Sequence, residues 1–329
     1  MKPLVGIYSR PTDDHLERVV SELQRRRIPW LRFDTADFPQ FLRVAARLDR
    51  NEDGWQGTFL LGDSHHHLEE FCSIWYRRPT KTYAFPAMSE TGYEYARAEA
   101  RKGFGGLLQS LSCLWVSLPD AIAAAECKPK QLEYARQLGW SIPKTLITND
   151  PQAVLCFFDE CQGEVIYKPF NQGIPRPKKG EPWRGAIYTT KMTRSALQEH
   201  APSITSTATL FQQYIPKAFE LRINVIGSRV FAAEIHSQQS ERAKIDFRMG
   251  YEELSYRIHQ LPREIEEHSL ALVHRFDLEF SAIDVIVTPQ NEYVFLELNP
   301  YGQWGWIENH TGLPLTEALV DLLVTGKSS

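Results

Sequence analysis

Alternation of apolar and polar positions orders the chain into strands and helices. Residues 4 to 8 (LVGIY) predict a strand, the stretch from Asp14 to about Arg27 a helix with Leu16, Val19, Val20 and Leu23 on one face, and Ile28 to Phe33 a second strand. Strand, helix, strand implies a parallel sheet in the first lobe. NEDGWQG is turn chemistry between apolar runs, so residues 43 to 61 predict a hairpin. SIWYRRP (73 to 79) is strand-like. Glu90 to Leu111 predict a long helix in which Tyr95, Ala96, Ala100, Leu107, Leu108 and Leu111 form a buried stripe. CLWVSL predicts a strand, residues 120 to 138 a helix with Gly139 as its C-cap, and KTLIT another strand after Pro143.

Beyond this the elements mix. A helix at 151 to 161, the strand EVIYKPF, the Gly-, Pro- and Lys-rich NQGIPRPKKGEPWRG and the strand AIYTTKM precede two hairpins. FELRINVIG (219 to 227) and RVFAAEIH (229 to 236) meet at Gly227-Ser228, a tight-turn signal. SAIDVIVT (281 to 288) and NEYVFLELN (291 to 299) meet at Pro-Gln-Asn. A turn at Gln290-Asn291 would pair Ile283 with Leu298, Val285 with Leu296 and Val287 with Val294 on one apolar face.

The chain has 329 residues, 43% hydrophobic and 24% charged, enough for a sizeable core and two or three lobes. A net charge of -4 with interspersed signs argues against a nucleic-acid partner. No apolar stretch is long enough for a signal peptide or membrane span, so a cytoplasmic protein with no membrane partner is expected. Five cysteines without paired CxxC spacing read as reduced structural thiols.

Chemistry concentrates in the hairpins. The register of the second sets Asp284 opposite Glu297 with Asn299 on the same side, a set of hard oxygen donors suited to Mg²⁺. Both faces of the 291 to 299 strand are apolar, so the carboxylates should be buried and need a cation or proton. In the first hairpin Glu220, Arg222 and Asn224 share a face, fitting a polyphosphate or ribose site or else an exposed face with a weak ion pair. Lys168 ends an apolar strand, and Lys128 precedes Pro129 at a helix start; both suit phosphates. His65, His66 and His67 read as an exposed turn, because adjacent strand positions cannot face one ion. GFGG at 103 to 106 lies in a helical pattern and lacks a dinucleotide-binding context.

The ordered set Lys128, Lys168, FQQYIPKAFELR, Asp284, Glu297 and Asn299 resembles the ATP-grasp superfamily from about residue 115 onward. CKPKQLEYARQLGWSIPKTLITNDP, FQQYIPKAFELRINVIG and AIDVIVTPQNEYVFLELNPYGQWGWIE are similar to the microviridin-type peptide ligases, or graspetide synthetases. IWYRRP resembles their pre-ATP-grasp domain. The resemblance implies an α/β (α+β) ATP-grasp fold: a parallel pre-grasp domain at 1–115, a central lobe at 116–205 and a C-terminal lobe at 206–329, with ATP between two antiparallel sheets.

It further implies Lys128 and Lys168 on the ATP phosphates; Gln213, Tyr214 and Ile215 around the adenine; Glu220 on the ribose; Mg²⁺ on Asp284, Glu297 and Asn299; and Arg222, Lys168 and Arg248 stabilising charge in catalysis. The implied reaction phosphorylates an Asp or Glu side chain of a ribosomal precursor peptide and joins it to a Ser or Thr hydroxyl or a Lys amine. Arg77 and Arg78 could serve that peptide or form structural ion pairs. The segment 171 to 185, with Pro175, Pro177, Pro182, Lys178, Lys179 and Arg184, reads as a lid ordering over substrate or a basic insertion. Two rival activities are a RimK-like carboxylate-amine ligase and a catalytically silent ATP- and leader-binding protein. Family analogy suggests a homodimer.

Overall fold

The computed structural model describes residues 4–171 and 187–325. Segment 171 to 185, apart from Asn171, therefore lies outside the described residues. The first lobe contains β1 (Leu4–Ser9), α1 (Asp14–Arg25), β2 (Trp30–Phe33), β3 (Leu42–Arg47), β4 (Gln56–Leu61), β5 (Ser64–His67), β6 (Phe71–Arg77), α2 (Glu90–Gln109) and β7 (Leu114–Val116). Its main sheet runs β2-β1-β6-β7 and every pairing is parallel, as the strand, helix, strand order predicts. A separate β3-β4-β5 meander is antiparallel.

The second part contains α3 (Pro119–Ala125), α4 (Lys128–Gln137), β8 (Thr145–Thr148), α5 (Pro151–Glu160), β9 (Val165–Lys168), β10 (Thr190–Lys191), α6 (Arg194–Glu199), α7 (Ala201–Ser206) and β11 (Thr209–Gln213). The third contains β12 (Phe219–Ile226), β13 (Arg229–Ile235), β14 (Tyr256–His259), α8 (Arg263–Arg275), β15 (Phe280–Val287), β16 (Tyr293–Asn299), α9 (Gly305–Thr311) and α10 (Leu315–Thr325). Their sheets, β10-β9-β11-β8 and β14-β13-β12-β15-β16, are both antiparallel.

Each sheet buries its apolar face under helices. Leu221, Ile223, Val225, Ile283, Val285 and Phe295 pack with Leu132 and Ala135 of α4 and Leu272 and Val273 of α8. Val154 and Phe157 of α5 and Leu197 and Ile204 cover Val165 and Phe211. The last helix returns to the start of the chain, where Leu315, Leu319 and Leu323 pack with Val5, Ile7, Val19 and Trp75. First and last lobes thereby share one core.

Several expectations change. Residues 120 to 138 form two helices, not one, because Lys128-Pro129 starts a new helix with proline in its first turn, where a missing N–H costs least. Gly139 does close the second at φ 92°. The buried face of α2 is Ala100, Phe104 and Leu108, at i and i+4 spacing, while Tyr95 is exposed. His65 to His67 lie in β5, not a turn, and pair with Thr58 to Leu60 of β4.

The β15–β16 register also departs from the simple ladder. Ile283 pairs with Leu298 and Asp284 with Glu297, but Val285 pairs with Phe295 and Val287 with Tyr293, not with Leu296 and Val294. The loop spans Pro289 to Asn291, closed by Thr288 N–H to Glu292 O (2.9 Å), with Asn291 at φ 69°. That adds one residue to the turn. A bulge at Leu296 adds one to β16, so the two offsets cancel where Asp284 meets Glu297.

A candidate nucleotide and carboxylate cleft

A cavity of about 530 Å³ lies between the two antiparallel sheets, a size suited to a nucleotide-scale ligand. Strand periodicity delivers its floor. Glu220 and Arg222 on β12 and Asp284 and Ile286 on β15 face it, while the alternate residues Leu221, Ile223, Ile283 and Val285 face the core. At the bulge, consecutive Leu296 and Glu297 both line the cavity.

The carboxylates form one charged cluster. Arg222 Nη1 donates to Asp284 Oδ1 (2.6 Å), Asn299 Nδ2 donates to Asp284 Oδ2 (2.8 Å) and Glu297 Oε1 (3.3 Å), and Lys128 Nζ donates to Glu297 Oε2. Burial, only partly offset by Arg222, raises the Asp284 carboxyl, and the Glu297 charge adds to the rise. Burial would raise Glu297 too, but Lys128 and then Lys168 hold it well below the usual carboxylate range. Lys168 at the end of β9 is itself pushed down by burial, against the pull of Glu297. Its ammonium makes no hydrogen bond or ion pair among the described residues.

Two carboxylates with an adjacent amide fit Mg²⁺ completed by phosphate oxygens, a hard-oxygen set. Among the described residues no three His, Cys, Asp or Glu side chains converge as a metal cluster, so a metal here would need the Asn299 carbonyl and ligand oxygens. Arg222 fits an anionic ligand: among the described residues its buried Nε has no acceptor. Its guanidinium lies 5.9 Å from the Trp306 ring centroid.

At the other end, Lys217 Nζ and Ser237 Oγ each donate to one oxygen of Glu220, and Lys217 also donates to Ile245 O (3.2 Å). Burial raises the Glu220 carboxyl, opposed by Lys217. Gln213, Tyr214 and Ile215 line the same end. The Gln213 and Tyr214 N–H groups already bond Lys144 O and Glu164 O (both 2.9 Å), leaving carbonyls, side chains and the Ile215 N–H for a purine edge.

Arg248 lies across the cleft. Its guanidinium holds Asp246 Oδ1 and Oδ2 (2.8 and 2.5 Å) and sits 5.7 Å from the Tyr188 ring, while Asp246 accepts the Thr189 N–H (3.1 Å). This joins the two cleft walls.

Arg77 and Arg78 separate. Arg77 is 2% exposed and held on three sides: Nε donates to Asp13 Oδ1 (3.3 Å), Nη1 to Tyr301 O (2.9 Å), and Nη2 meets His15 Nδ1 (3.1 Å). It does not line the cleft, and of the two readings, peptide contact or structural ion pair, its contacts with Asp13 and Tyr301 are those of the second. Arg78 does line the cleft and donates to Tyr301 O (3.1 Å). Its φ of 50° is unusual for a non-glycine residue, more so before Pro79, whose ring favours extended backbone at the preceding residue.

Lys128, Lys168, Gln213, Tyr214, Ile215, Glu220, Arg222, Arg248, Asp284, Glu297 and Asn299 thus meet in one cavity. Asn224 is buried on β12 but does not line it. Sequence reading missed Gln131, Lys217, Asp246 and Trp306. Only Lys217 left a trace, three residues before Glu220 in KAFELR.

The model of the MvdD pre-ATP grasp domain matches residues 8–123. No curated protein matches the chain. Among solved structures, the macrocyclase MdnC of Microcystis aeruginosa MRC, bound with its precursor peptide MdnA, is similar at 31% identity and a TM-score of 0.80, over 98% of this chain and 100% of that one. Macrocyclase MdnB of the same organism is similar at 28% identity and TM-score 0.76, over 98% and 100%. A RiPP-associated ATP-grasp ligase of Chryseobacterium gregarium, in complex with ADP and a leader and core peptide, is similar at 26% identity and TM-score 0.84, over 99% and 97%.

Proposed function

This chain belongs to the microviridin-type ATP-grasp peptide ligases, and from that membership we propose that it macrocyclises a ribosomal precursor peptide at the expense of ATP. The observation that carries the reading is the convergence of Lys128, Lys168, Arg222, Asp284, Glu297 and Asn299 in one cavity. In this reading residues 1–115 contribute to peptide recognition, and 116–205 and 206–329 close over the nucleotide.

Glu220, held by Lys217 and Ser237, presents a fixed carboxylate to the ribose, and Gln213, Tyr214 and Ile215 bracket the adenine. Lys128 and Lys168 bind the phosphates. Asp284, Glu297 and Asn299 would hold Mg²⁺, which supplies charge neutralisation to the phosphate oxygens. The peptide carboxylate oxygen attacks the γ-phosphorus and ADP leaves. A Ser or Thr hydroxyl or a Lys amine then attacks the acyl carbon, its proton is lost, and phosphate departs with the bridging oxygen. Arg222, with its unpartnered Nε, stabilises that phosphate, and Arg248 supports the same region. Arg78, turned toward the cleft from the first lobe, contacts the acidic core residue.

The test incubates the protein with MgATP, free amino acids and an acidic peptide carrying Thr and Lys, then weighs the peptide and assays ADP. Loss of one water mass per ADP formed supports cyclisation. A gain of an added amino-acid mass moves the answer to a RimK-like ligase, and nucleotide binding without turnover to a silent binder. No helix of the described residues is long and apolar enough to cross a membrane.

A further inference from the structure

β16 is an edge strand of its five-stranded sheet, so its outer backbone groups need partners from elsewhere. Near its start, Phe295 N–H donates to Ser141 O (2.9 Å). Further along, between Glu297 and Asn299, the partner is a side chain. Gln131 Nε2 donates to Leu298 O (2.8 Å), and Leu298 N–H donates to Gln131 Oε1 (3.0 Å). A primary amide can mimic a peptide group in this way, accepting and donating across two parallel bonds. Gln131 Nε2 also donates to Ala125 O (2.6 Å), so both of its polar atoms are engaged at 3% exposure.

Its placement is specific. Gln131 lies one turn after Lys128 on α4, and Lys128 pairs with Glu297. One helix therefore grips β16 twice, by charge at Glu297 and by backbone at Leu298. On the other side the β15 ladder is interrupted by the bulge at Leu296, immediately before Glu297. Beside that bulge, on the outer edge of the strand, Gln131 supplies the pairing that no neighbouring strand gives.

We infer that Gln131 is a positioning residue for the metal site: it fixes the backbone between Glu297 and Asn299 so that both side chains face the cleft. The inference rests on the reading that those residues hold Mg²⁺. Supporting groups behind metal ligands typically alter metal affinity by about 10–100-fold when removed.

The experiment measures Mn²⁺ affinity of the ADP complex by electron paramagnetic resonance and metal-free ADP affinity by calorimetry. Wild type, Gln131→Met, Gln131→Glu and Glu297→Gln are compared. Gln131→Met should weaken Mn²⁺ about 10–100-fold with metal-free ADP affinity unchanged. Gln131→Glu, which keeps the acceptor for the Leu298 N–H but sets a second acceptor against the Leu298 and Ala125 carbonyl oxygens, should weaken Mn²⁺ at least as far. Unchanged Mn²⁺ affinity in Gln131→Met, or equal weakening of metal-free ADP, would overturn the inference. Failure of both Gln131 variants to fold would also overturn it, assigning the residue to folding. If Glu297→Gln itself leaves Mn²⁺ affinity intact, the metal-site reading fails first and the inference falls with it.

Discussion

Two buried arginine–aspartate pairs in this molecule share chemistry and differ in purpose. Arg77–Asp13 lies within the first lobe, where Arg77 also reaches Tyr301 O in the loop after β16, and Arg222–Asp284 lies across the β12–β15 ladder. Side-chain exposures are 2% and 3% for the first pair, 9% and 13% for the second. The difference lies in completion. Arg77 donates to Asp13 and to Tyr301 O with its third nitrogen against the His15 ring, and Asp13 also caps α1 through the His15 N–H (3.0 Å). Arg222 leaves a buried Nε unpartnered, and Asp284 shares its surroundings with Glu297, a like charge. The first pair closes a structural contact, while the second stands beside the cavity, where the proposed function puts the phosphate.

The largest expected effect breaks the first pair. Arg77→Met should cost about 3–5 kcal/mol of stability in urea unfolding, since it leaves Asp13 buried and unpaired. Turnover per folded molecule should change little. Arg222→Met should do the reverse, lowering kcat by about 10²–10³-fold, the scale for a preorganised charged donor. Its thermal midpoint should stay close to wild type, because Asp284 keeps the Asn299 amide and faces the open cleft. If Arg222→Met unfolds as readily as Arg77→Met, the contrast between the two pairs collapses.

Arg78→Ala comes next. It should raise the peptide KM by about tenfold or more, matching the loss of one hydrogen bond to a charged group worth about 1.5–3 kcal/mol. The KM for ATP should be unchanged.

The smallest effect is pH-linked and belongs to the first pair. His15 Nε2 accepts from the Trp304 and Gly305 N–H groups (3.1 and 3.0 Å), which requires that nitrogen to be unprotonated. Burial depresses the His15 pKa below its ordinary 6.5, with Asp13 pulling the other way and Arg77 adding to the depression. The unfolded chain then binds the extra proton first, so this contribution to stability is fully present above about pH 6.5 and is lost as pH falls through the depressed value. Urea midpoints between pH 7.5 and 5.5 should fall in wild type and flatten in His15→Gln.

The chemistry of the cleft was readable in the sequence because it sits on strands of strict alternation. Leu221, Ile223 and Val225 mark the core face of β12, which leaves Glu220 and Arg222 facing outward; Ile283 and Val285 do the same for Asp284. The predicted Asp284–Glu297 pairing held for a subtler reason. The extra turn residue and the Leu296 bulge shift the register in opposite senses, and neither has a local signal strong enough to see. Arg77 and Arg78 were indistinguishable in sequence because nothing local marks Arg77 as the last residue of β6 or gives Arg78 its φ of 50°. Gln131 was invisible. Its amide meets Leu298, which lies 167 positions away, and a helical glutamine carries no mark of a distant partner.

The most direct test of the account compares wild type with Asp284→Asn, each shown to be folded by near-ultraviolet circular dichroism. Both are given MgATP and the acidic Thr- and Lys-containing peptide, and the peptide is weighed over time. The cleft reading predicts loss of water mass with wild type and an unchanged peptide with Asp284→Asn. Cyclised peptide formed by folded Asp284→Asn at the wild-type rate would contradict it.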